Sequence, residues 1–286
     1  MFLVAVCALA AGCGNGSHAK APLITSERVR SVGFYGIWER PRGTRHHTAI
    51  LLFGGSEGGL GLQALTASLV AHGYPVLDIA YFRAPGLPQA LQRIRLEYFQ
   101  RALKWMSRQP QVDPQRIVTF GISRGGELSL ILASTFPNLV HGAVGYVPSA
   151  FVGSGIPDQT LPAWTYRGKP LFGWPRGRRI PVEKINGPVF VAGGGDDFLW
   201  NSGWFVHLIA ERMHAHKHDV TALVYPHAGH LLGIVRPVAY GTGPAYGVLK
   251  TRYGNLNFGG SAKADLAARK DAWAKLLKFL AGVTPR

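Results

Sequence analysis

RIVTFGISRGGEL, residues 116–128, joins a strand to a helix through a single serine. Its first half is a continuous apolar run over residues 117–120, and helical spacing begins again at Glu127 and continues to Phe136. Between them lies Gly121-Ile122-Ser123-Arg124-Gly125, a G-x-S-x-G turn in the setting that chemistry at a serine requires. Glycines on both sides let the backbone turn sharply and lift the serine oxygen above the sheet. The helix starting behind Ser123 offers free backbone N–H groups and a positive dipole end where negative charge would develop.

On either side of this turn the chain alternates between strand-like and helix-like segments. Residues 48–53 are apolar throughout and end in Gly54-Gly55, as a central parallel strand would. Further strands are expected at 75–81, 139–147, 189–192 and 220–225, with two short ones over 28–40 joined near Gly33–Gly36. Helices are expected around Leu62, Leu65 and Leu69, over 88–108, over 202–214 and over 262–280. Such alternation implies a mostly parallel central sheet with helices on both faces, and with the serine turn this is the α/β-hydrolase fold. Nothing divides residues 21–286 into two domains. Residues 151–185, rich in Pro, Gly, Trp and Arg, read as a lid-like insertion over the acyl part of a substrate.

A serine nucleophile needs a base, an acid behind it and an oxyanion hole. The base belongs after a late strand, where Tyr225-Pro226-His227-Ala228-Gly229-His230 offers two histidines. Small residues before His230 favour it, and His227 is the weaker choice. The acid belongs after the preceding strand, where Asp196 and Asp197 both stand behind a glycine run. The order Ser, Asp, His is the one this fold uses. Oxyanion donors are expected from the Arg124 backbone and from Gly55 or Ser56. Such chemistry needs neither metal nor organic cofactor, and His46, His47, His214, His216 and His218 show no metal-ligand spacing.

Both cysteines, Cys7 and Cys13, precede the body, so no disulfide or thiolate site is expected there. Residues 1–20 read as a signal leader, and Ala10-Ala11-Gly12-Cys13 resembles a bacterial lipobox with Cys13 as the lipidated residue. No Lys or Arg precedes the apolar run, which departs from that pattern. The expected location is a membrane-anchored lipoprotein facing the periplasm; a buried N-terminal element would instead place the protein in the cytoplasm. The formal net charge is +16, with no charged residue before Lys20. An anionic lipid or membrane surface suits such a body. No recognition motif points to nucleic acid, and oligomeric state is not legible.

FGGSEGGL (53–60), AYF (80–82), RLEYFQRALKWM (95–106), QVDPQRIVTFGISRGGEL (111–128), GPVFVAGGGDD (187–197) with Trp200, AERMHAH (210–216), YPHAGH (225–230), Phe258-Gly259-Gly260 and KDAW (270–273) form a longer pattern. Together they resemble the C-terminal catalytic domain of the acyl-CoA thioesterases and bile acid-CoA:amino acid N-acyltransferases. The resemblance implies Ser123 as nucleophile, His230 as base and Asp197 as acid, acting on an acyl thioester or ester through an acyl-serine intermediate. The conjugating branch of that family uses cysteine as nucleophile, so Ser123 resembles the hydrolysing branch. The family's eukaryotic members carry a β-sandwich domain before this one, for which the sequence before Arg28 is too short. Alternative readings are a dienelactone-hydrolase-like or peptidase-like enzyme for small substrates, and a non-catalytic basic envelope lipoprotein on the same scaffold.

Overall fold

Along the run that ends at Gly54, side chains alternate between two cores. Ala49, Leu51 and Phe53 pack into one hydrophobic cluster and Ile50 and Leu52 into the other, all of them buried. A strand whose side chains alternate in direction, yet are apolar at every position, belongs in the middle of a sheet covered on both faces. The structure is a computed structural model that describes residues 24–30, 32–43, 47–171, 178–241 and 246–283. The leader with Cys13, and His46, lie outside the described residues.

In chain order, β1 (Ile24–Val29), β2 (Tyr35–Pro41) and β3 (His47–Phe53) precede α1 (Gln63–Ala71) and β4 (Val76–Ala80). The two-residue β5 (Ile94–Arg95) leads into α2 (Leu96–Met106), β6 (Val112–Ile122), α3 (Arg124–Thr135) and β7 (Gly142–Tyr146). A short pair, β8 (Trp164–Tyr166) and β9 (Lys169–Pro170), comes before β10 (Val189–Gly194), α4 (Ser202–Ala215) and β11 (Val220–Tyr225). The hairpin of β12 (Val248–Thr251) and β13 (Gly254–Asn257) precedes the closing helix α5 (Ala262–Gly282).

Eight strands form the main sheet in the order β1-β2-β4-β3-β6-β7-β10-β11. β2 runs antiparallel to both its neighbours, and every pairing from β4 to β11 is parallel. α1 and α5 cover one face through Leu65, Leu69, Leu276 and Leu280. α2, α3 and α4 cover the other through Phe99, Leu128 and Val206. This is the expected α/β-hydrolase architecture. β4 lies on one side of β3 and β6 on the other, so the winding reverses between β3 and β6. The loops leaving their carboxyl ends therefore part at that point, which is where open α/β sheets bind ligands. Gly54-Gly55 and Ser123 occupy those two loops.

Two expectations need correction. The helix expected over 88–108 begins only at Leu96. Arg93 has φ +52°, and Ile94 and Arg95 pair in parallel with Trp164 and Thr165, so the chain before Leu96 is held extended. The apolar periodicity was real, but tertiary pairing took its first turns. The described part of residues 151–185 is built into the body. Trp164, Ile180, Val182 and Ile185 are buried, and Phe151 pairs with Arg179 across the segment.

Among the described residues no helix is long and apolar enough to cross a membrane. No group of three His, Cys, Asp or Glu side chains among them could hold a metal ion.

Candidate active site

Ser123 sits between β6 and α3 with φ +56° and ψ −120°, a conformation that L-residues rarely adopt. The flanking glycines make it possible. A Cβ on Gly121 would lie 2.0 Å from the Gly125 carbonyl oxygen, and one on Gly125 would lie 2.3 Å from that of Gly54. The turn is pinned where the Ser123 N–H donates to the Tyr146 carbonyl at 2.9 Å. The first helical bond runs from the Glu127 N–H to the Ser123 carbonyl, so the Arg124 N–H has no acceptor within the helix.

The structure brings Ser123, His230 and Asp197 together. His230 Nε2 lies 3.0 Å from Ser123 Oγ, and His230 Nδ1 lies 2.8 Å from Asp197 Oδ2. An ionised carboxylate only accepts hydrogen bonds, so Nδ1 carries the ring proton and Nε2 turns its lone pair to the serine hydroxyl. Asp197 is saturated. Its Oδ1 accepts the N–H groups of Leu199 and Trp200 at 3.1 and 3.2 Å, and its Oδ2 also accepts the Ser202 hydroxyl at 2.5 Å. The alternative pair sits at the surface, with His227 3.6 Å from Asp196 and both well exposed.

His230 is braced on several sides. Rings of Trp200 and Phe258 flank His230 with centroids 5.7 and 5.5 Å away, and Trp200 Nε1 donates to the Val147 carbonyl. The His230 N–H donates to the Phe258 carbonyl at 2.7 Å. From α5, buried Asp265 accepts the Gly229 N–H at 2.7 Å and the Tyr246 hydroxyl at 2.5 Å, while buried Arg269 donates to the Leu231 carbonyl. Burial pushes the Asp265 carboxyl above its ordinary range, against the pull of the Tyr246 and Gly229 hydrogen bonds.

Of the two oxyanion candidates after β3, the Gly55 N–H is engaged: it donates to Glu57 Oε1 at 2.7 Å. In this structure that contact occupies the Gly55 N–H, and Ser56 is the other candidate expected after β3. The hydroxyl of buried Tyr81 lies 2.9 Å from both the Gly54 and the Gly55 carbonyl oxygens, sharing its one proton between them and holding the loop. Burial drives its phenol well above the ordinary value.

A cleft of about 700 Å³ opens over Ser123 and His230. Leu62, Leu65, Ile122, Leu231, Leu249 and Leu256 give it an apolar lining, and Arg83, Arg236 and Arg252 add positive charge. No described residue of 151–185 lines it. The described part of the expected lid packs against α3, where Arg124 and Glu127 form a buried ion pair at 2.8 Å. Arg124 also donates to the Ser154 carbonyl, and Glu127 accepts the Gly153 N–H and Trp164 Nε1. Burial raises the Glu127 carboxyl, and Arg124 opposes that rise. Among the described residues, the β12–β13 hairpin forms one wall of the cleft. It is mostly exposed, and its strands, VLKT and GNLN, are too short to show a strand period in the sequence.

Sequence reasoning also missed Ser202. As the first residue of α4 it reads as a cap, yet its hydroxyl donates to Asp197 and accepts the Gly194 N–H at 3.1 Å.

Among solved structures, a Mycobacterium tuberculosis puromycin-hydrolysing peptidase superposes with a TM-score of 0.61 at 15% identity. The match covers 95% of this chain and 41% of that one. A dienelactone hydrolase-like promiscuous phosphotriesterase from metagenomic libraries gives 0.60 at 16% identity, covering 91% of this chain and 98% of that one. At such identities the likeness extends to the fold alone. In sequence, mouse peroxisomal succinyl-coenzyme A thioesterase is 32% identical over 288 residues, and mouse acyl-coenzyme A thioesterase 6 is 30% identical over 282. Each alignment covers 92% of this chain and 66% of the relative, so the chain spans just under two thirds of their length. The model of the BAAT / acyl-CoA thioester hydrolase C-terminal family matches residues 94–156 and 171–284, more than half of the chain and both sides of the serine turn. On that match, the chain belongs to the BAAT / acyl-CoA thioester hydrolase C-terminal family.

Proposed function

We propose that this chain hydrolyses an acyl thioester, with oxygen esters as the second substrate class, through an acyl-serine intermediate. The observation that carries the reading is the unbroken relay from Ser123 through His230 to Asp197 at the floor of an apolar cleft. The names of the relatives, acyl-coenzyme A and succinyl-coenzyme A thioesterases, support the thioester class.

His230 Nε2 takes the hydroxyl proton as Ser123 Oγ attacks the acyl carbon. The carbonyl oxygen becomes an oxyanion held by the N–H groups of Arg124 and Ser56, each such donor being worth about 10²–10³ in rate. The carbon–sulfur bond breaks, and the imidazolium returns its proton to the leaving thiolate. A water then attacks the acyl-serine with His230 again as base, releasing the carboxylic acid and restoring the hydroxyl. Asp197 holds the ring tautomer and supports its positive charge in both halves.

Hydrolysis should be measured over acyl-CoA thioesters, short esters and dipeptide amides, with Ser123→Ala as control and a fluorophosphonate as active-site label. Loss of turnover and labelling in a variant that still folds is the expected result. Unchanged turnover in Ser123→Ala would sink the mechanism, and failure of the native protein to label would favour a non-catalytic scaffold.

We also propose, on the leader sequence, that Cys13 anchors the protein to a bacterial membrane. Cys13→Ser should move it to the soluble fraction in a host that processes lipoproteins. Wild-type protein that is soluble and retains Met1 would overturn this.

A further inference from the structure

A second cleft, of about 440 Å³, lies beside the first at the same end of the sheet. The loop after β4 is the wall between them, since Arg83 lines the catalytic cleft and Pro85, Gly86 and Leu87 line the other. Bonds from the Arg83 N–H to the Pro88 carbonyl and from the Leu87 N–H to the Ala84 carbonyl close that loop on itself. Across the second cleft stand Arg30, Phe34, Tyr35, Tyr98 and Arg101.

The cations here converge. Arg28 and Arg30 both donate to the Tyr35 hydroxyl oxygen, at 3.2 and 3.3 Å, so two guanidinium groups meet at one neutral atom. Arg101 reaches in from α2, donating to the Gly33 carbonyl and lying over the Tyr98 ring. None of the three has an ion-pair partner among the described residues. Glu97 feels Arg101 through space, but its contacts go to Arg95 and to the Arg167 N–H. The Tyr98 ring is fixed because its hydroxyl donates to the Ala80 carbonyl and accepts the Tyr35 N–H. Like charges gathered around one phenol repel one another, and an anion between them reverses the sign of that interaction.

We propose that this cleft binds a phosphate group carrying a small apolar or planar body. A phosphate monoester brings a charge of about −1.5 to −2 and three acceptor oxygens, which matches two or three guanidinium forks. A carboxylate brings one charge and leaves at least one cation unpaired. Phe34, Leu87 and the Tyr98 ring supply the apolar side for the attached group. The site is independent of Ser123 and of any reaction there.

Binding of phenyl phosphate, inorganic phosphate and benzoate should be measured by calorimetry on the native protein and on the Arg30→Gln/Arg101→Gln double variant. Vesicles of phosphatidylglycerol, with phosphatidylcholine as blank, form the lipid arm. Phenyl phosphate should bind at least about tenfold tighter than benzoate, and the double variant should lose at least about tenfold, the scale of one charge-assisted hydrogen bond. Arg178→Gln/Arg179→Gln, with the same change in net charge elsewhere on the surface, should bind as the native protein does. Phenyl phosphate binding that depends on Arg30 and Arg101 identifies a soluble ligand, and vesicle binding with that dependence identifies a lipid headgroup. The proposal fails if the double variant binds like the native protein, if the control pair loses as much, or if no probe binds.

Discussion

At the scale of single residues, the site turns on which carboxylate stands behind the imidazole. Asp197 is buried and receives four hydrogen bonds, whereas Asp196 faces solvent beside His227. Asp197→Asn should therefore lower kcat by roughly 10⁴-fold, because an amide can present the wrong tautomer to the ring and no longer supports its charge. Asp196→Asn should cost less than about tenfold. Measuring kcat for both variants on one substrate decides it, and a large loss at Asp196 with a mild one at Asp197 would reverse the roles. Ser202→Ala on the same substrate should lose about tenfold in kcat, since it strips one donor from Asp197 and leaves the Gly194 N–H buried and unpaired. Ser123 and its glycines were legible in sequence because a turn this tight excludes nearly every other residue. Ser202 was not, because a serine opening a helix has the same appearance whether it caps a backbone or steadies a carboxylate.

Among elements, the difference between expectation and structure is which segment borders the cleft. Residues 151–185 had the composition of a lid, but their described part is fastened to α3 by the Arg124–Glu127 pair and to β5 by Trp164. Among the described residues, the β12–β13 hairpin walls the cleft, with Leu249 and Leu256 lining it. Truncating either to alanine removes about 1–2 kcal/mol of apolar contact, which should raise KM for long-chain substrates about tenfold and leave kcat nearly unchanged. Phe151→Ala should leave KM unaltered across chain lengths. Equal effects from Phe151 and Leu256 would show that the insertion reaches the substrate after all. The central strands were readable because burial on two faces demands unbroken apolar runs. The true start of α2 depends on distant pairing with β8, which leaves no local period, and the hairpin strands are only four residues each, too short to show one.

For the molecule as a whole, stability carries a cost buried in the sheet. Asp78 on β4 is 2% exposed, and its Oδ2 has no hydrogen-bond partner. Burial, together with the charges of Glu39 and Glu57, lifts its carboxyl from 3.8 to about 7, against the pull of the Leu62 backbone. Between those values the folded state holds a proton that the unfolded state has released, so stability falls as pH rises through that interval. The cost is complete above about pH 7 and reaches roughly 4 kcal/mol as a ceiling. Asp78→Asn should accordingly raise Tm more at pH 8 than at pH 5, and an equal gain at both would refute the assignment. The last helix matters in another way, through time. Asp265 and Arg269 on α5 grip the backbone on either side of His230, so this part of its brace is made only after Ser123, Asp197 and His230 have all been synthesised. A nascent chain still missing α5 already contains all three, with Trp200 and Phe258 beside the ring, but lacks the two contacts that fix the backbone at Gly229 and Leu231. On the mechanism proposed for it, the protein should work poorly on the ribosome until α5 has emerged and docked.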